Sequence, residues 1–124
     1  MSTFSAIERI KSKKLLEEVY AEGKQCKNFP FRVKYLRTKF EDDALVKIAV
    51  SVPKRKVRKA VDRNKLKRQI KEAYRLNKVN LLSKIESSNE HLALFLIYDG
   101  NKDQPYAFIE EKMIGLLKIL EEKL

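Results

Sequence analysis

The chain has 124 residues and a formal net charge of +11, from 28 Lys and Arg against 17 Asp and Glu, and 44% of it is hydrophobic. That length suits one domain over residues 1–124 with a single modest core, and the apolar content argues against disorder despite the charge. One Cys, one His, three Gly and no Trp exclude an internal disulfide, a Cys-based or multi-His metal cage and a glycine-rich nucleotide loop, leaving little room for self-contained enzyme chemistry.

Residues 1–11 carry no clear periodicity and read as a mobile lead-in. Ser12 is placed to cap a helix over 13–22, with Leu15, Leu16, Val19 and Tyr20 on one side and Gly23 at its exit. Phe29, Phe31, Val33 and Tyr35 then alternate with Pro30, Arg32, Lys34 and Leu36, the period of a strand, with Pro30 at its entry or on an edge. Burial statistics favour Phe29 and Phe31 as core. Glu41, Asp42 and Asp43 form a turn, and 44–52 is a β-branched, buried strand ended by Pro53. A basic block follows. The apolar run 92–98, the longest in the chain at seven residues, belongs to a second buried strand over 91–98 closed by Asp99, Gly100 and Asn101. It is far too short to span a bilayer. Ile109, Met113, Leu116, Leu117 and Leu120 mark a C-terminal amphipathic helix. The order is α–β–β–α–β–α, with 29–52 open to a further split, which makes an α+β sandwich. The N-terminus lacks the layout of a secretory signal, so the chain is expected in the cytoplasm.

The charge is concentrated. Residues 54–78 hold 12 basic and 2 acidic side chains, a net of +10. Such a block on a near-neutral remainder is the footprint of a polyphosphate partner. A solvated surface helix intersperses acids to relieve the repulsion, and here only Asp62 and Glu72 do so. A membrane surface would require bulky apolar anchors facing lipid. Wound at helical pitch, 63–76 gathers Leu66, Ile70, Ala73 and Tyr74 into one stripe that packs on the domain. Asn64, Lys65, Lys67, Arg68, Lys71 and Arg75 fan across the opposite side. Arg63 and Arg68 suit two-pronged phosphate contacts. Asn64 either reads a base edge or ribose hydroxyl, or caps the helix start; Asp62 is a second candidate cap. Ahead of the helix lie Lys54, Arg55, Lys56, Arg58 and Lys59, with Val57 and Val61 expected to pin the segment to the core.

The run SVPKRKVRKAVDRNKLKRQIKEAYR, residues 51–75, resembles the signature of the bacterial ribonuclease P protein subunit. In that family a strand leads through a Lys/Arg-rich turn into a helix that begins Arg-Asn-Arg and continues Ile-Lys-Arg. Arg63, Asn64, Lys65, Leu66, Lys67, Arg68, Glu72, Ala73 and Tyr74 match it here. Lys65 departs from the motif, keeping the charge but losing the guanidinium fork. The pair of Phe residues on the family's first helix corresponds to Leu16 and Tyr20.

The resemblance implies a two-layer α/β sandwich with a mixed sheet of about four strands and about three helices, in the order α-β-β-β-α-β-α. It also implies a left-handed β-α-β crossover, against the general rule. It implies a subunit of an endoribonuclease that removes the 5′ leader of precursor tRNA, with no catalytic or metal-binding protein residue. The chemistry lies with the partner RNA and its Mg²⁺, and no cofactor is bound by the protein alone. The partners are ribonuclease P RNA and precursor tRNA, with no membrane and no required protein partner. Lys54, Arg55, Lys56, Arg58, Arg63, Asn64, Lys65, Lys67, Arg68, Lys71 and Arg75 are expected to meet the catalytic RNA. Leu16, Tyr20, Arg32, Lys34 and Tyr35 are expected to line a leader cleft. Strand parity leaves open whether Arg32 and Lys34 or Phe31, Val33 and Tyr35 face that cleft. A structural RNA-scaffolding protein is the alternative from another class. A free-standing nuclease is a further rival, and it would need carboxylates beside the basic face.

His91 is read as structural or solvent-facing rather than catalytic, Cys26 as an ordinary free thiol, and the acid pairs Glu110-Glu111 and Glu121-Glu122 as solvated helix surface.

Overall fold

The computed structural model describes residues 8–124. Helix α1 (Lys13–Glu22) leads into β1 (Lys24–Asn28), β2 (Phe31–Thr38) and β3 (Val46–Ser51), then α2 (Ala60–Asn77), α3 (Val79–Ser88), β4 (His91–Tyr98) and α4 (Tyr106–Lys123). The sheet order is β1-β2-β4-β3. Pairs β1–β2 and β2–β4 are antiparallel, while β3 and β4 are parallel neighbours joined by the α2–α3 crossover.

Register sorts the strand residues onto two faces. Cys26, Phe31, Val33, Tyr35, Ile48, Leu94, Leu96 and Tyr98 point to one, where they form a continuous core with buried residues of α2, α3 and α4. The other face carries Lys27, Arg32, Lys34, Ala49, Phe95 and Ile97, and α1 lies across its β2–β4 part.

Local chemistry explains the element ends. The Ser12 hydroxyl accepts from the Leu15 N–H at 3.2 Å, the expected cap. Gly23 ends α1 in an extended conformation (φ −70°) rather than a left-handed one. A glycine is required there because a Cβ would sit 2.4 Å from the Val19 carbonyl oxygen. The Asp42 carboxylate accepts from the Ala44 N–H and shapes the turn before β3. The His91 Nδ1 accepts from the Phe40 N–H at 2.7 Å and its ring stacks on Phe40, a structural role.

Several expectations are corrected. The aromatic strand begins at Phe31, and the third strand expected ahead of the basic helix is β1, which comes before it rather than from a division of 29–52. Its exposed Lys24, Gln25 and Lys27 flank one buried Cys26, too polar a pattern to signal a strand. Phe29 sits at the hairpin tip and is 72% exposed instead of buried. Pro30 lies in the same tip, following a cis peptide bond. The strand read over 44–52 is shorter, Val46–Ser51. Val57 is buried as expected, but Val61 is 69% exposed because it falls on the outer side of α2. That helix starts at Ala60 with Lys59 as its cap residue, so neither Asp62 nor Asn64 caps it. Helix α3, a fourth helix, was hidden behind the charge of α2, although Leu81 and Ile85, one turn apart and buried, carry its signal. Of the lead-in, residues 1–7 lie outside the described residues. Residues 8–10 are anchored: Ile10 donates to the Ile48 carbonyl at 2.9 Å along the free edge of β3, and Glu8 pairs with the buried Lys78.

Candidate nucleic-acid interface

Burial of Leu66, Ile70, Ala73 and Tyr74 fixes the rotation of α2 on the domain. The opposite side is therefore committed to solvent. Asn64, Lys65 and Arg68 are exposed there and Lys67 is half-buried. Among the described residues none of these four side chains has a hydrogen-bond or ion-pair partner. Asn64 is the fifth residue of the helix, past the cap, so its amide is free to donate and accept outward. Lys71 is half-buried at the border of this face. Burial, and then the charges of Arg9 and Lys67, hold its ammonium below the usual lysine range.

The two other arginines of α2 are used within the protein. The Arg63 Nη1 donates to the carbonyls of Val57 (3.0 Å) and Arg58 (2.7 Å), tying the turn after β3 to the first turns of α2. Arg75 is bound by Glu72, its Nε donating to Oε2 at 3.0 Å. Both sit at the edges of the fan rather than as free phosphate grips. Before the helix, the Lys56 and Val57 N–H groups both donate to the Pro53 carbonyl and close a turn. That turn leaves Lys54, Arg55, Lys56 and Arg58 exposed. Among the described residues no three His, Cys, Asp or Glu side chains group as a metal site would require.

A second surface lies where α1 crosses the sheet. The register resolves the parity of β2: Arg32 and Lys34 share the α1 face with Phe95. Tyr35 points to the core and is 6% exposed, which removes it from the cleft lining expected for it. Leu16 is half-buried and Tyr20 is exposed. The Lys34 Nζ lies 3.9 Å from the Tyr20 ring centroid and donates to the Tyr20 carbonyl at 2.9 Å. The Tyr20 ring also meets Phe95, at 6.3 Å between centroids. Phe95 was missed from sequence because a continuous apolar strand does not reveal which residues face which side. Arg32 is held by Asp99, and its hydrogen bond keeps the Asp99 carboxyl below the usual carboxylate range.

A third feature, also missed, is a pocket of about 560 Å³ where Lys27, Phe29, Arg32, Arg55, Lys56 and Asp99 converge. The sequence carries no signal for it, because its lining comes from three segments distant along the chain. No helix among the described residues is long and apolar enough to cross a membrane.

Comparison with known proteins places these surfaces in context. The sequence model of the family described as Ribonuclease P matches residues 4–121. The Ribonuclease P protein component of Porphyromonas gingivalis is 40% identical over 74 residues, a match covering 60% of this chain. In that match the chain spans about half the relative's length, 54%. The Ribonuclease P protein component of Clostridium botulinum is 34% identical over 110 residues, covering 89% of this chain and 91% of that one. The structure of the Staphylococcus aureus RNase P protein superposes with a TM-score of 0.67 at 25% identity, covering 91% of this chain and 94% of that one. The Thermotoga maritima RNase P protein gives 0.69 at 25% identity, covering 90% and 96%.

Proposed function

This chain belongs to the ribonuclease P protein family, and from that premise we propose that it acts as the protein subunit of ribonuclease P in tRNA 5′-end maturation. It binds the catalytic RNA through the outer face of α2 and the turn before it. It receives the single-stranded 5′ leader of precursor tRNA on the α1 side of the sheet. The RNA and its Mg²⁺ perform the hydrolysis, and the protein contributes affinity and positioning in the cytoplasm.

The observation that carries this reading is the side of α2 bearing Asn64, Lys65, Lys67 and Arg68. A buried stripe holds these four groups on one rigid surface, and they have no partner among the described residues. The helix fixes where their backbones stand, and the charge of the three cations is available for counterion release. On the α1 side, Tyr20, Phe95, Arg32 and Lys34 combine rings with cations, the usual means of holding a single strand.

Reconstitution tests it. The protein is mixed with bacterial ribonuclease P RNA and precursor tRNA at low Mg²⁺, and 5′ cleavage is followed. Stimulation of the RNA is expected. Binding without stimulation would replace this assignment with an RNA-scaffolding role, and cleavage by the protein alone would point to a nuclease.

A further inference from the structure

The pocket at the end of the sheet where β2 begins and β4 stops borders both surfaces: it shares Arg32 with the α1 side and Arg55 and Lys56 with the turn before α2, while Lys27, Phe29 and Asp99 belong to neither. Three separate segments build it. The β1–β2 hairpin supplies Lys27, Phe29 and Arg32, the turn after β3 supplies Arg55 and Lys56, and the exit of β4 supplies Asp99. Four cations thus surround one carboxylate. Asp99 is committed to Arg32, and Arg55 approaches it only to 3.9 Å while remaining 70% exposed. The side chains of Lys27 and Lys56 have no hydrogen-bond or ion-pair partner among the described residues.

Phe29 is the member that gives the pocket its chemistry. Its ring is 72% exposed, and the backbone beneath it is bolted down. The Asp99 N–H donates to the Pro30 carbonyl at 2.7 Å. The rings of Phe31 and Tyr98 meet edge to face at 5.6 Å, and the Tyr98 hydroxyl donates to the Asn101 carbonyl at 2.6 Å. Gly100 lies so close that a Cβ there would come within 2.8 Å of the Pro30 Cβ. The hairpin tip is held by these contacts while the Phe29 side chain projects from it. An aromatic ring on an anchored backbone beside unpaired cations suits a planar base with its phosphate, and an unpaired base has the free π-face that stacking needs.

We propose that this pocket binds one unpaired RNA nucleotide, its base stacked on Phe29 and its phosphate held by Lys27 and Lys56. This deepens the proposed function and rests on it. The nucleotide comes either from the catalytic RNA or from the leader of precursor tRNA, which share this chemistry.

The chain contains no Trp, so Phe29→Trp installs a single tryptophan, excited selectively at the red edge of tyrosine absorption, at the stacking position. The full-length variant is titrated with a short 5′-phosphorylated oligouridine while anisotropy of the labelled oligonucleotide reports binding. Emission should quench along the binding curve. Phe29→Ala should bind about tenfold more weakly and Phe29→Tyr should retain affinity. Lys27→Ala should weaken binding and flatten its salt dependence. Binding without quenching, or unchanged affinity in Phe29→Ala, would overturn the proposal. Melting curves matching the parent protein establish that the variants fold, as expected for an exposed side chain.

The source is then read in the reconstituted holoenzyme. Quenching on addition of ribonuclease P RNA assigns the nucleotide to that RNA. Quenching only on addition of leader-bearing substrate assigns it to the leader, and none in either arm sinks the pocket. Failure of the parent protein to stimulate the RNA would sink the proposed function. Normal stimulation with no effect at Phe29 would remove the pocket alone.

Discussion

The guanidinium of Arg32 is bound to the carboxylate of Asp99, so that the start of β2 and the residue just past β4 are joined across the sheet end. The pair forms one wall of the basic pocket and keeps one of its cations from being free.

This pair makes a pH prediction with a definite sign. Hydrogen bonding by Arg32 first, and then the charges of Arg32, Arg55 and Lys56, hold the Asp99 carboxyl below its usual range. A depressed folded-state pKa contributes stability that is present above the unfolded value of about 3.9 and is lost as pH falls through the folded value. Asp99→Asn should therefore be less stable than the parent at neutral pH. Its loss of stability on acidification should also be shallower. Urea unfolding across the acid range checks this, and parallel curves for the two proteins would contradict it.

Charges on α2 should differ in their effect on RNA binding. Lys67→Ala and Arg68→Ala each remove an unpaired cation and should lower the log–log salt slope by about 0.7–0.9 for each phosphate left without its cation. Arg75→Ala should change it less, because Arg75 is already neutralised by Glu72. Equal slopes for all three, measured with ribonuclease P RNA, would show that the Arg75–Glu72 pair opens on binding.

Tyr20 and Tyr35 should separate cleanly. Tyr20 is exposed beside Lys34 and Phe95, so Tyr20→Ala should reduce the benefit of a long leader while leaving the melting temperature near that of the parent. Tyr35 packs in the core, and Tyr35→Ala should lower stability by about 3–5 kcal/mol, as for other large core aromatics. A leader-length series with each variant, alongside thermal melting, reads both effects.

Anions should stabilise the free protein. Residues 54–78 carry a net charge of +10, and crowded like charges oppose folding until a bound anion offsets them. Sulfate added at constant ionic strength should raise the melting temperature. Substituting Lys67 and Arg68 together should diminish that gain.

Much of the site was legible because it rests on helix periodicity. The spacing of Leu66, Ile70, Ala73 and Tyr74 alone determines which side of α2 packs and which side carries Asn64, Lys65, Lys67 and Arg68. The same local logic places the Ser12 cap, β4 and the buried residues of α4. What periodicity cannot report is which charges find partners. Arg63 and Arg68 look equivalent in the motif, yet Arg63 is anchored to the carbonyls of Val57 and Arg58 while Arg68 is free among the described residues.

By itself the sequence determined a basic helix on an α+β domain, and the motif at 51–75 pointed to the family. Only the tertiary structure decided the use of β2, where alternation marks two faces but not which one is covered. Pairing with β4 turns Tyr35 inward and sets Arg32 and Lys34 beside Phe95. Likewise Phe29, apolar and in phase with the strand that follows it, stands outside because the chain reverses at Pro30. The physical reason is common to both. Side-chain period is a local property of the backbone, whereas burial and pairing depend on which distant segment arrives to cover a face.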